Sequence, residues 1–403
     1  MTVATIERTG RHAVPGYEFL GGLSAEERSR RDELVAWLAA QLDGPHAHLR
    51  GALAPLDDRE WAQLHAWEQV LHAAGWRGIG WPVEYGGRGG SFVDEVVFEV
   101  EYARLGGPYR PSIQGERLLG PMLLACASEA LRRRFLPEIV AARQYWCQGF
   151  SEPGAGSDLA AVRTSARRDG ADWVVHGQKT WTTGAHRADW IYALCRTDPA
   201  GERHRGLSML LVPLDQPGIE VRPIRTMAGD AEFCEVFLDG ARTEADLVLG
   251  EVGAGWDVAR RLLQVERGLT MLGHQLRYER ELDHVVAELR RRGRDRDPLL
   301  RQRVARQWSA LRVLRLVSTG MLADLAAGRD PGTAASRAKL MSSAWQQALG
   351  ALALAVEGPG AVAGPGGAAA QRVLLEACGA SIYGGSDEIQ RNLLAELGLG
   401  LPR

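Results

Sequence analysis

The spacing of apolar residues changes twice along this chain, and those two changes limit its fold more than any other feature. Up to about Ala142 the repeat is helical. "SAEERSRRDELVAWLAAQL" opens with Ser24 as an N-cap and Glu27 at the capping-box distance. "DDREWAQLHAWEQVLHAAGW" sets Trp61, Leu64, Trp67, Glu68 and Leu71 at helical intervals before Gly75. Another helix is expected from about Phe92 to Leu105. From Tyr145 to about Gly250 the repeat shortens. "DWVVHGQKTW", "WIYALCRT", "LSMLLVPL" and "IEVRPI" are β-rich runs punctuated by Gly, Pro and Asp. That density of short strands predicts a small barrel or sandwich. After Gly255 long helices return, the first with one apolar stripe through Val258, Leu262, Val265, Leu269, Leu272 and Leu276. "GPGAVAGPGG" is expected to be a loop, followed by a final helix.

A chain of 403 residues exceeds one typical core. The pattern therefore predicts three units: a helical one over 1–144, a β one over 145–250 and a helical one over 251–403. The formal net charge of −2 carries no electrostatic footprint for nucleic acid. Five scattered cysteines without a C-x-x-C pair support neither a disulfide framework nor a zinc site. There is no apolar run of about 18 residues and no leader-like apolar segment at the start, so the cytosol is the expected location. Lysine occurs only at Lys179 and Lys339, a bias read here as base composition.

The middle of the chain holds the chemistry. In "CQGFSEPGAGSDLAAVRTSARRDGADWVVHGQKTWTTGAHRADW", Gly154 and Gly156 let backbone approach a bulky ligand, and successive amides there can form an anion-binding nest. Ser151, Ser157 and Thr183 add short hydroxyls beside Trp181. Read alone, the segment is equally a turn with a core tryptophan. With "GWPVEYGGRGGS" before it and "IYGGSDEIQRNLLAELGLGLPR" after it, in that order, it resembles the acyl-CoA dehydrogenase family over nearly the whole chain.

That resemblance implies an α+β architecture: an N-terminal α-helical domain, a central β-barrel and a C-terminal four-helix bundle. It implies FAD as cofactor, held by Gln148, Phe150, Ser151, Gly156, Ser157, Trp181 and Thr183, with Gly385, Ser386 and Glu388 from the C-terminal motif. Within that set, Ser151 is implied at the pyrimidine end of the flavin, Ser157 at the pyrophosphate and the substrate arm, Trp181 on the ring and Thr183 at its N5 edge. The implied reaction is α,β-dehydrogenation of an acyl thioester, on coenzyme A or a carrier protein. The α-proton leaves to a base and the β-hydrogen to flavin N5. A homotetramer and an electron acceptor such as an electron-transfer flavoprotein are implied as partners.

Two departures matter. The family's R-x-x-F-G-x-x-I stretch, which touches a neighbouring subunit's flavin, is replaced here by "ELRRRGRDRDPLLRQRVARQ". And Gly384 stands where the family often carries the catalytic glutamate. Glu266 borders the apolar stripe: residues three and four away are Leu262, Leu263, Leu269 and Thr270. The pair Glu266–Arg267 matches the pattern of members resembling isovaleryl-CoA dehydrogenase, whose base lies on this helix. Glu266 is therefore expected to be the base, with Ser157, Arg267 and Gly384 lining the substrate; a pairing of Glu266 with a helix arginine is the plainer reading. A flavin-dependent oxygenase or oxidase of the same fold, or a silent subunit of a heteromeric dehydrogenase, are the alternatives. His176 and His186 are expected to be structural, and the Arg290–Arg296 cluster to be a solvated helix end.

Overall fold

The computed structural model describes residues 22–52, 57–201, 203–266, 269–363 and 367–402; the side chains of 264–266, 269–271, 274 and 363 lie outside the description. The N-terminal helices are α1 (Ala25–Asp43), α2 (Asp58–Ala73), α3 (Phe92–Arg104), α4 (Gly120–Cys126) and α5 (Glu129–Val140). The capping box at Ser24 forms: the Ser24 amide donates to Glu27 at 2.7 Å, and the Glu27 amide to the Ser24 hydroxyl at 3.2 Å. Leu34, Leu38 and Leu42 then bury against Trp67, Leu71 and Phe98. Glu68, on the buried face of α2, is not an error of pattern. Arg77 pairs with it at 2.9 Å and with Glu116 at 3.2 Å. Arg77 also donates to the carbonyls of Val140 (2.7 Å) and Ile139 (2.9 Å), so one buried guanidinium ties α2 to α5 and to the π-helical turn Gln114–Leu119. Removing either charge would leave the other buried and unpaired.

The central strands are β1 (Trp146–Gly149), β2 (Ser165–Asp169), β3 (Asp172–Thr183), β4 (Trp190–Arg196), β5 (Leu207–Pro213), β6 (Ile219–Ile224), β7 (Phe233–Glu244) and β8 (Val248–Leu249). They form one sheet in the order β6-β7-β3-β2-β4-β5-β8, with β1 parallel to β4. The expected barrel takes the form of a wrapped sheet: Thr243 on β7 donates its hydroxyl to the Leu211 carbonyl on β5 at 2.6 Å. Successive residues of β4 alternate between two cores. Tyr192 and Leu194 pack towards α4, α5 and the next helix, while Ile191 and Ala193 face Val175, Val212 and Val236.

The remaining helices are α6 (Gly255–Glu266), α7 (Leu269–Arg291), α8 (Pro298–Ala326), α9 (Ala334–Glu357), α10 (Gly360–Ala363), α11 (Gly367–Gly379) and α12 (Asp387–Leu393). The stripe read as one long helix is helical on both sides of residues 267 and 268, which lie outside the described residues, and its two described parts are labelled α6 and α7. Val258, Ala259 and Leu262 of α6 bury against the β domain, whereas Leu272 and Leu276 of α7 bury against Val96 and Val100 of α3. Helices α7, α8, α9 and α11 form the four-helix core around Leu282, Leu314, Trp345 and Leu349. Gly350 permits the closest crossing, since a Cβ there would sit 2.6 Å from the Leu374 Cα. The expected loop after α9 contains the turn α10, because Ala361–Ala363 is a short run of residues at ease in a helix. The arginine cluster at the end of α7, expected to be solvated, is partly tied down: Arg292 pairs with Glu357, and Arg294 donates to the Ala355 carbonyl at 2.7 Å, because the end of α9 brings a carboxylate and free carbonyls beside it. Among the described residues no helix is long and apolar enough to cross a membrane.

Candidate functional site

The segment after β1 is held by one buried cation. Lys179, fully buried on β3, donates to the carbonyls of Phe150 (3.2 Å) and Leu194 (2.6 Å) and to the Glu152 carboxylate (2.8 Å). Glu152 in turn accepts from the amides of Arg163 (2.7 Å) and Thr164 (2.9 Å). Burial alone would raise this carboxyl; the Lys179 ammonium and the amides hold it below the usual carboxylate range. Glu152 and Ala155 exchange backbone hydrogen bonds at 3.0 Å, and the Thr180 amide donates to the Ser151 carbonyl at 2.9 Å. The result is a tight, fixed turn. It leaves Gly154, Gly156 and Ser157 at the surface, and a Cβ added at either glycine would meet nothing within 4 Å. Ser151 is half-buried beside it.

At the end of β3 the ladder to β7 slips between Lys179 and Thr182. Trp181 sits in that bulge at φ 58°, a left-handed conformation that bulky residues rarely adopt, and its side chain is 59% exposed. The bulge turns the indole outward while Thr182 stays buried and Thr183 half-buried, opposite Phe233. A strained backbone that exposes a large aromatic is a cost kept for a purpose. An outward indole, a threonine two residues on and a glycine-serine turn held from behind fit a flat, phosphate-bearing ring system such as a flavin. Gln148 and Phe150 also make contacts within the domain. The Gln148 amide oxygen accepts from the Tyr192 hydroxyl at 3.5 Å. The Phe150 ring is buried edge-on to Tyr192, and its carbonyl accepts from Lys179.

The C-terminal motif is anchored by the second lysine. Lys339, buried on α9, donates to the Ala380 carbonyl and lies 5.0 Å from the Tyr383 ring centroid. Asp387 accepts from Ser343 at 2.8 Å, and Ser386 caps α12 through the Ile389 amide. Gly384 and Gly385 have φ 66° and 87°, so the turn itself selects glycine at both positions. Glu388 is exposed and pairs locally with Arg391. Glu266 ends α6 with its side chain outside the description, and Arg267 lies outside the described residues. His186 contacts the Cys234 sulfur at 3.3 Å, and His176 faces Asp239; no metal-ligating cluster occurs among the described residues.

Sequence reasoning missed Lys179, Glu152 and Lys339. The available signal was the lysine count: in a chain that otherwise uses arginine, Lys179 falls inside the central motif, whereas Lys339 reaches the C-terminal turn only through the fold. A compact ammonium donates to three carbonyl or carboxylate partners in different directions, which a planar guanidinium cannot match.

Family models for the N-terminal, middle and C-terminal domains of acyl-CoA dehydrogenase match residues 24–143, 147–241 and 253–399. Acyl-CoA dehydrogenase IpdE1 of Mycobacterium tuberculosis is 47% identical over 376 residues, covering 93% of this chain and 97% of its own. Among solved structures, the Tcur3481-Tcur3483 steroid ACAD is 30% identical with a TM-score of 0.82, covering 95% and 99% of the two chains. The ChsE4-ChsE5 complex from Mycobacterium tuberculosis is 29% identical with a TM-score of 0.76, covering 95% and 99%. The chain is an oxidoreductase flavoenzyme and belongs to the acyl-CoA dehydrogenase family.

Proposed function

We propose that the chain acts in FAD-dependent α,β-dehydrogenation of an acyl thioester, with Glu266 removing the α-proton. The observation that carries this reading is the bulge that turns Trp181 outward between the Ser151–Ser157 turn and Thr183. The residues proposed to hold FAD are Gln148, Phe150, Ser151, Gly156, Ser157, Trp181 and Thr183, joined by Gly385, Ser386 and Glu388; Ser157, Arg267 and Gly384 are proposed to meet the thioester. When bound, the flavin supplies the two-electron acceptor. The chain's own work is to hold the acyl group against it, to keep water out and to accept one proton on the Glu266 carboxylate.

The assembly is proposed to contain a second, related chain. Two similar structures are named for two components, and neither supports four identical copies. The missing R-x-x-F-G-x-x-I stretch agrees: flavin contacts that this chain lacks would come from its partner.

The test is purification, alone and with a co-expressed relative, followed by the visible spectrum and release of the cofactor. Bound FAD that loses its yellow colour anaerobically with acyl thioesters is expected. FMN in its place would contradict the pyrophosphate role of Ser157, and a protein that takes up no flavin in either preparation would overturn the reading. Within the site, Thr183→Val keeps shape and removes one hydroxyl. The fold should persist while colour loss slows roughly 5- to 150-fold, the range for a hydrogen bond worth about 1–3 kcal/mol in the transition state. Unchanged stopped-flow kinetics would remove Thr183 from the site.

A further inference from the structure

β4 runs beside β1, and its Tyr192 pairs in register with Gln148. The tyrosine is fully buried, and it touches both β1 residues proposed to hold FAD. Its ring meets the Phe150 ring edge-on, with 6.3 Å between centroids. Its hydroxyl lies 3.0 Å from the Gln114 amide oxygen and 3.5 Å from that of Gln148. A phenol has one proton to give. The contact to Gln114 is the stronger, and the one to Gln148 is at the outer limit of a hydrogen bond. The Gln148 side chain, half-buried between the buried Trp146 and Phe150, therefore keeps most of its hydrogen-bonding capacity for an occupant.

Gln114 opens the π-helical turn Gln114–Leu119, in which the Gly120 amide donates to the Gly115 carbonyl, five residues back. The turn is pressed against β1. A Cβ added at Gly115 would sit 3.4 Å from the Trp146 Cδ1 and 3.1 Å from the Ile139 Cγ2 of α5. At its other end, Leu118 and Leu119 share a core with Leu262 of α6, one turn before Glu266. The turn thus stands between the segment proposed to hold the flavin and the helix that ends in Glu266. Packing alone does not call for a tyrosine at 192. Phenylalanine would fill the same space without burying a hydroxyl, which is unfavourable unless the hydroxyl is paired. What the hydroxyl adds is a directional link from β4 to the turn.

We infer that Tyr192 and Gln114 are positioning residues for the flavin, locking the Gln148 and Phe150 side chains to the π-turn packed on α6. This rests on the reading that Gln148 and Phe150 hold FAD. Lys179 fixes the same segment by its backbone, through the Phe150 carbonyl; Tyr192 fixes it by its side chains. Neither Tyr192 nor Gln114 has to touch the cofactor, because each acts through β1.

The test is FAD affinity, read from flavin fluorescence as FAD is titrated into the deflavinated full-length chain, together with the visible spectrum of the reloaded protein. Tyr192→Phe keeps the ring and removes the link. It is expected to weaken FAD binding about five- to tenfold and to shift the flavin absorption bands. Gln114→Leu should do the same, and the double variant should be no worse than either single one, since both remove one hydrogen bond. Gln114→Glu keeps an acceptor oxygen at the same reach and should retain wild-type affinity. Unchanged affinity in Tyr192→Phe, losses that add in the double variant, or Gln114→Glu behaving like Gln114→Leu would overturn the inference. Should Tyr192→Phe fail to fold, the two Gln114 variants decide alone. A wild-type chain that binds no FAD would overturn both this link and the reading beneath it. Colour loss with acyl thioesters is followed on the same wild-type samples. Its failure, with the affinities as expected, would sink the dehydrogenation reading and leave the link standing.

Discussion

Glu266→Gln is expected to bind flavin and thioester but to lose colour about 10²–10⁴ times more slowly than wild type on anaerobic mixing. Glutamine keeps the size and hydrogen-bonding shape of glutamate and removes its basicity. Val258, Ala259 and Leu262, one and two turns earlier, are buried in the core shared with the β domain, so the start of this helix packs on the domain that carries Thr183. Equal rates in variant and wild type would move the base elsewhere and favour an oxygen-using or silent-subunit role. The same experiment bears on Gly384. Moving the carboxylate there, as Glu266→Gly with Gly384→Glu, is expected to restore only part of the rate. The backbone at 384 has φ 66°, so any side chain starts from a conformation costing on the order of 1 kcal/mol or more. The positive φ at 384 gives the turn its own reason for a glycine.

Lys179→Met should be the most damaging single change in the β domain. It removes three hydrogen bonds from a fully buried ammonium and leaves Glu152 buried with only backbone amides as partners. Breaking one side of a buried pair costs about 3–5 kcal/mol. The expected result is a lower melting temperature together with loss of bound FAD, because the Phe150 carbonyl, and with it the turn bearing Ser151 and Ser157, loses its anchor. Adding Glu152→Leu to Lys179→Met should recover part of the stability, since no unpaired charge then remains. A single variant that melts like wild type and keeps its flavin would refute the anchoring role. The pair also sets an acid limit. Glu152 is held below its ordinary range in the folded protein, so its contribution is complete above the unfolded carboxyl pKa of about 4.3. It is lost as pH falls through the lower, folded value. Melts taken across the acid range should therefore lose the difference between wild type and Glu152→Gln as pH drops.

Much of the architecture was written locally. The capping box at Ser24, the stripe on α2, the short strands of the middle domain and the long helices of the bundle follow from spacing and turn chemistry, because each pattern buries one face at one period. The segment proposed to hold the flavin was legible for a similar reason: Ser151, Gly156, Ser157, Trp181 and Thr183 lie close in sequence, so one segment carries most of the candidate site.

What the sequence by itself determined, then, was the order of helical and β units and the family to which they belong. It could not assign Glu68 a reason for facing inward, since its partner Arg77 is nine residues away and its other neighbours, Ser112 and Tyr145, are further still. Nor could it separate an exposed Trp181 from a core one. That was decided by a slip in the β3–β7 ladder, a property of two strands about fifty residues apart. The two lysines looked like a trace of base composition until the fold put each under a loop whose carbonyls needed a donor. Long-range electrostatic and hydrogen-bonding partners of this kind are chosen by tertiary packing and leave no period in the chain.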